Sequence, residues 1–158
     1  MKIAVISDTH RIKKYMELSK KYIQEADVLI HLGDDSEDIK EFTKDFKGEI
    51  YGVSGNCDRI GEYPKEQLLV LEGKKIFITH GDIYGVKSNL INIYFKGREL
   101  EADIILFGHT HIPLIEEQDG IYLMNPGSVS LPRINKRYIG MIELEKENKP
   151  NIYLKLLK

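Results

Sequence analysis

Short apolar runs that each stop at glycine, aspartate, asparagine or histidine constrain this chain more than any other feature. Residues 3–7 stop at Asp8 and His10, 28–32 at Gly33-Asp34, 49–53 just before Gly55-Asn56, 75–79 at His80, and 103–107 at Gly108-His109. Runs this short and this uniformly apolar read as buried strands. Ile12, Tyr15, Met16, Tyr22 and Ile23 fall on one helical stripe, as do Ile39, Phe42 and Phe46 within 36–46 and Leu90, Ile93 and Tyr94 within 86–100. Glu72-Gly73 turns a hairpin between 68–71 and 75–79. From residue 112 the pattern is β, with runs at 113–118, 121–124, 138–144 and 152–157 separated by Asp119-Gly120, Asn125-Pro126-Gly127 and Asn148-Lys149-Pro150. Strands alternating with helices, then a strand-rich tail, predict an α/β chain with helices outside and more than one sheet inside.

The 158 residues, 42% of them hydrophobic, suffice for one core, and no linker, repeat or low-complexity stretch divides them. Residues 1–158 are therefore expected to form a single domain. The 23 basic and 25 acidic residues leave a net charge of −2, so no global basic field draws the protein to nucleic acid, which is unsupported as a partner. Asp8 and His10 cut the opening apolar run short of a signal-peptide core, and no later run approaches a membrane span, so no membrane partner is expected. Cys57 is the single cysteine and has no intramolecular disulfide partner, which suits a reducing, cytoplasmic address. The later strands and tyrosine-rich segments leave a homo-oligomer open.

Loops at the carboxyl ends of strands can bring side chains from distant segments to one place. Asp8, His10, Asp34, Asn56, His80, His109 and His111 are all placed for that. The period-two spacing of Asp8 with His10, and of His109 with His111, would point each pair to one side if the chain stayed extended. Singly, each residue has an ordinary role: Asp34 can cap the following helix, Asn56 can make a turn, and His80 can be a hydrogen-bonded core histidine. Together and in this order they point to a metal site. Carboxylate plus imidazole, with no thiolate cluster, suits Mn, Fe, Co, Ni or Zn rather than a structural zinc. Seven candidate ligands exceed what a single tetrahedral metal needs, and two ions about 3.5–4 Å apart can share a carboxylate and clamp both oxygens of an in-line displacement.

These segments resemble the calcineurin-like metallophosphoesterase family, whose pattern is Asp-x-His, Gly-Asp, Gly-Asn-His-Asp or Gly-Asn-Cys-Asp, a lone His, then Gly-His-x-His. Asn125-Pro126-Gly127-Ser128 is similar to the tail signature of its short prokaryotic phosphodiesterase branch. The resemblance implies a four-layer α-β-β-α sandwich with two mixed central sheets and a strand-rich C-terminal part. It implies two divalent ions per chain, one on Asp8, His10, Asp34 and His111, the other on Asp34, Asn56, His80 and His109, with Asp34 bridging. Manganese is the first choice of metal, with Ni, Fe, Co, Zn or Mg as alternatives. The implied activity is hydrolysis of a small phosphoester, foremost a phosphodiester, by a hydroxide that bridges the two metals and attacks phosphorus in line, with Asp34, Asn56 and His109 as the catalytic set. A phosphomonoesterase or nuclease using the same site, or a catalytically silent scaffold of the same fold, are the alternatives.

The chain departs from the family pattern at two positions. Cys57 stands where many relatives have histidine, which removes a general acid: an imidazole titrates near ~6.5, whereas a thiol near ~8.5 is a poorer donor. Cys57 is read as a small packed residue beside the site. Asp82 stands where relatives often have a second histidine, which puts outer contacts and substrate fit in question. His31, Asp58, Arg59 and Ser128 are further candidates for contacts around the ligands or to substrate, His31 with a buried, hydrogen-bonded structural role as its alternative; Arg59 and Arg133 sit in loops from which a guanidinium can pair with phosphate or simply stand solvated at the surface.

Overall fold

The computed structural model describes residues 1–42, 44–59 and 62–158. Two mixed five-stranded sheets stack face to face. The first has the order β10-β9-β1-β2-β3, built from β1 (Lys2–Ile6), β2 (Val28–His31), β3 (Glu49–Gly52), β9 (Tyr138–Glu143) and β10 (Asn151–Leu156). The second has the order β4-β5-β6-β8-β7, built from β4 (Glu66–Leu71), β5 (Lys74–Thr79), β6 (Ile104–Leu106), β7 (Leu114–Gln118) and β8 (Ile121–Asn125).

Alternation along each central strand decides which layer a side chain enters. Ile3 and Val5 of β1 face inward with Val28 and Ile30 of β2, against Ile76, Ile78, Ile104 and Leu106 of the other sheet. Ala4 and Ile6 face outward and are covered by Met16 and Ile23 of α1 (Lys13–Ile23). Phe77, Ile105 and Leu123 on the outer face of the second sheet are covered by Ile93 and Tyr94 of α3 (Ile91–Glu99). The order of layers is helix, sheet, sheet, helix, as the resemblance implies.

Two helices are shorter than their apolar stripes suggest. Residues 36–46 supply only a 3-10 turn (Ser36–Asp38) and the four-residue α2 (Ile39–Phe42), while Phe46 packs beneath the first sheet from outside the helix. Thr43 and the Phe42 side chain, both within that expected helix, lie outside the described residues. The expected helix over 86–100 begins only at Ile91, because Gly81 and Gly85 take left-handed conformations around a 3-10 turn at Asp82–Tyr84.

Parallel pairing sets the site. β1, β2 and β3 run parallel, as do β5, β6 and β8. Their carboxyl ends lie together at one end of the sandwich, joined by Asp8 N–H to Gly33 O at 3.0 Å and Gly108 N–H to His80 O at 3.0 Å.

Candidate metal centre

The candidate ligands lie just past the strand ends rather than in them. β1 ends at Ile6 and β6 at Leu106, and Asp8, His10, Asp34, His109 and His111 all have positive φ, between 46° and 65°. That corrects the extended-chain reading of the two period-two pairs. Left-handed backbone at five non-glycine residues costs energy and persists only where the surroundings over-determine it. Glycine makes room for the crowding: a Cβ on Gly55 would collide with the Asp34 carboxylate, and one on Gly108 would collide with the Ser7 hydroxyl and approach Asp8 Oδ2.

Six of the seven candidates converge as two overlapping groups. Asp8, His10, Asp34 and His111 form one and Asp34, His80 and His109 the other, with the ligand atoms of each group within 4.8 Å of one another. His109 and His111 thus diverge into different groups. Asn56 is exposed on the loop after β3, with its amide nitrogen 3.5 Å from Cys57 Sγ and no hydrogen bond to the other six. The backbone beside it does reach the site, where Cys57 N–H donates to Asp34 Oδ1 at 3.0 Å.

Hydrogen bonds fix which atoms face inward. A carbonyl only accepts, so His80 Nδ1 donates to Leu32 O at 2.7 Å and His111 Nδ1 donates to Leu131 O at 2.8 Å. Each neutral ring then turns an Nε2 lone pair into the cluster. His80 Nε2 lies 3.4 Å from Asp34 Oδ1 and 3.1 Å from His109 Nδ1, and His111 Nε2 lies 3.0 Å from Asp8 Oδ1 and 3.4 Å from His10 Nε2. Asp8 Oδ2 is satisfied by the Ser7 hydroxyl at 2.5 Å and His109 N–H at 3.2 Å, but the buried Oδ1 accepts no hydrogen bond. A carboxylate oxygen and an imidazole lone pair held 3.0 Å apart repel unless a proton or a cation lies between them. The residues present therefore fit divalent metal ions.

The protein groups alone drive the same conclusion in proton terms. Burial opposes the charged form of His80, but the hydrogen bond to Asp34 and the charges of Asp8 and Asp34 outweigh it and raise the imidazole. The Asp8 contact likewise raises His111 against burial. Burial would lift Asp34, yet His80 and the Cys57 N–H hold it well below the usual carboxylate range. Burial, then the positive charges of His80 and Lys87, lower His109. A cation in place of the proton satisfies the same lone pairs.

A second ring of contacts holds the loops. Asp58 Oδ2 accepts from the N–H groups of Asp34 at 2.8 Å and Gly55 at 2.7 Å, and Oδ1 accepts from Ser36 N–H at 2.7 Å, tying the β2 and β3 loops together. Asp35 lies 3.5 Å from His10 Nδ1 and orients that ring with its Nε2 inward. His31 is fully buried: its Nδ1 accepts from Gly33 N–H at 3.1 Å, which leaves Nε2 as the donor to Thr9 Oγ1 at 3.2 Å. Ser128 Oγ donates to Asp8 O at 2.7 Å, so it braces a ligand loop and is itself buried. Asp82 begins the 3-10 turn after His80 and lies near enough for its charge to act on His109. Arg59 is turned outward, 3.9 Å from Glu37. Cys57 is exposed, which corrects its reading as a packed residue; partial desolvation and the carboxylates of Asp34, Asp35 and Asp58 push its thiol up to about 11.

Sequence reasoning missed Asn125 and Ser130. Asn125 Nδ2 donates to Gly108 O at 2.8 Å and Thr110 Oγ1 at 3.0 Å, and Ser130 Oγ donates to Thr9 O. Asn125 lay in plain view in the tail signature, where it reads as a turn residue; Ser130 carries no local signal.

The model of the calcineurin-like phosphoesterase superfamily domain matches residues 1–148. The probable metallophosphoesterase YsnB of Bacillus subtilis is 38% identical over 138 residues, covering 86% of this chain and 79% of YsnB. The phosphodiesterase YfcE of Escherichia coli K12 is 32% identical over 104 residues, 60% of this chain and 52% of YfcE. Among solved structures, a Vps29 mutant from Entamoeba histolytica superposes with a TM-score of 0.80 at 17% identity, covering 100% of both chains, a likeness of fold alone. The chain belongs to the calcineurin-like phosphoesterase superfamily, and it is a metal-dependent hydrolase of phosphoester bonds.

Proposed function

We propose that the protein is a phosphodiesterase whose whole chain acts as one domain around a dinuclear site, with Asp34 shared between two divalent ions. Asp8, His10 and His111 complete one set of ligands and Asn56, His80 and His109 the other. The observation that carries the reading is the buried Asp8 Oδ1, which faces the His111 Nε2 lone pair with no donor of its own. Manganese is taken as the first ion to test; carboxylate, amide and imidazole donors without thiolate accept Fe, Co, Ni and Zn as well. Its substrate is a small phosphodiester, as the name of YfcE suggests by analogy. Its proposed address is cytoplasmic: the one thiol is free and exposed, and no helix among the described residues is long and apolar enough to cross a membrane.

Divalent ions bound here supply a nucleophile at neutral pH and positive charge for the transferring phosphoryl group. The protein's own part is to hold geometry. The Leu32 and Leu131 carbonyls fix the His80 and His111 tautomers, Asp58 fixes the turn that carries Asp34, and the Asn125 and Ser128 side chains hold the two histidine-bearing loops against each other. No imidazole stands at position 57, and a thiol raised to about 11 is a weak proton donor to a departing oxygen. Diesters with good leaving groups, such as aryl esters, are the expected substrates.

Chelator-treated protein should lose hydrolysis of bis(p-nitrophenyl) phosphate and regain it with Mn²⁺. Asp34→Asn should lower kcat/KM by about 100-fold or more. Full activity after chelation, or in Asp34→Asn, would refute the reading.

A further inference from the structure

Beside the second ligand group lies a cavity of about 440 Å³, within the usual range for a small-molecule site. Its walls are Val86, Leu90, Phe107 and Leu114, and Lys87 and Arg133 stand at its edge. It is joined to the candidate centre through the backbone. Val86 packs against Gly81, directly after His80; Phe107 precedes Gly108-His109; Thr110 lies between His109 and His111; and Arg133 N–H donates to His111 O at 3.1 Å. The Lys87 ammonium is close enough to act on the His109 imidazole.

The lining divides its chemistry cleanly. The walls are apolar, and the one hydroxyl, on Thr110, is already engaged by Asn125 Nδ2 at 3.0 Å and Ile112 N–H at 3.2 Å. Polar recognition is left to Lys87 and Arg133, whose side chains are exposed and are neither hydrogen-bonded nor ion-paired among the described residues. Two unpaired cations thus flank an apolar chamber that opens beside the candidate ligands.

We infer, resting on the phosphodiesterase reading, that this cavity receives one ester arm of the substrate, and that the arm is an apolar ring carrying its own negative charge. The ring would fill the chamber while its anionic group meets Lys87 and Arg133, with the phosphodiester beside His109. Specificity then depends on the arm as well as on the phosphorus.

Ethyl-, benzyl- and 4-carboxybenzylphosphonate carry a methylene in place of the ester oxygen and are not hydrolysed. Their affinities for the Mn²⁺-loaded protein can be measured by calorimetry. The benzyl compound should bind about tenfold tighter than the ethyl one. The carboxylate should add about two- to fivefold, an increment that shrinks with salt. Lys87→Met with Arg133→Met should erase the carboxylate increment, and Ile112→Ser, at the half-exposed mouth of the cavity, should erase part of the benzyl increment. In parallel, methyl, phenyl and 4-carboxyphenyl esters of p-nitrophenyl phosphate share one leaving group and should rank in kcat/KM in that order. Equal affinities across the three phosphonates, or a carboxylate increment that survives the double variant, overturns the inference even if all three esters are hydrolysed. The affinity ladder without turnover of any ester supports the cavity assignment and refutes the phosphodiesterase reading instead.

Discussion

At the residue scale, the site is a set of side chains aimed by backbone that would not choose its conformation alone. Asp8, His10, Asp34, His109 and His111 all sit at positive φ, and hydrogen bonds of Asp58 with Asp34 N–H, Asn125 with Gly108 O and Ser128 with Asp8 O brace the loops that carry them. The ligand residue types and their order were legible in the sequence; their conformation was not, because period-two spacing looks the same whether the chain is extended or coiled into a loop. His31 illustrates the gap. Burial lowers it to about 4, and its Nδ1 already accepts from Gly33 N–H, so a second proton has no place. The folded pKa lies below the unfolded value of about 6.5, so the unfolded chain takes up the proton first as pH falls. The stability this neutral histidine permits is present above about pH 6.5 and is lost toward pH 4. Denaturant titrations at pH 7 and pH 5 should show the wild type losing about 2 kcal/mol more than His31→Gln. Equal losses would mean that His31 is not held neutral. Cys57 belongs to the same scale. Cys57→His restores an imidazole beside the site and should raise turnover of alkyl phosphodiesters over aryl ones by about tenfold or more. No selective gain would remove the leaving-group argument.

At the element scale, strands were read more faithfully than helices. β1 and β2 are short and buried on both faces, and their apolar runs leave little choice of boundary. The stripe at Leu90, Ile93 and Tyr94 is real, but helix α3 starts at Ile91 because the preceding turn is built on Gly81 and Gly85. That decision is made by tertiary fit around the centre, which no local pattern records. Helix α3 also carries Gly97 in its interior, normally a destabilising choice. Here a Cβ would run into the side chain of Ile105 on β6, so the glycine sets how closely helix and sheet approach. Gly97→Ala gains about 1 kcal/mol of helix propensity but overpacks a buried contact at a cost of about 1–3 kcal/mol. The expected outcome is a net loss of about 1 kcal/mol in chemical denaturation; a gain would mean that the interface yields freely.

At the scale of the whole molecule, two mixed sheets bring two sets of parallel strands to one end, and the candidate ligands come from both. The first sheet delivers Asp8, His10, Asp34 and the Asn56 loop; the second delivers His80, His109 and His111. The β pattern and the family motifs made this sandwich legible, whereas the cavity beside His109 was not, since Val86, Leu90, Phe107 and Leu114 converge on it from separate segments. A fold by itself does not decide the chemistry; here the ligand cluster carries it. The most direct measurement is an anomalous difference map from crystals of the protein grown with Mn²⁺. Two peaks about 3.5–4 Å apart are expected, one against Asp8, His10 and His111, the other against His80, His109 and the Asn56 amide, with Asp34 between them. A single peak, or peaks away from Asp34, would contradict the dinuclear account.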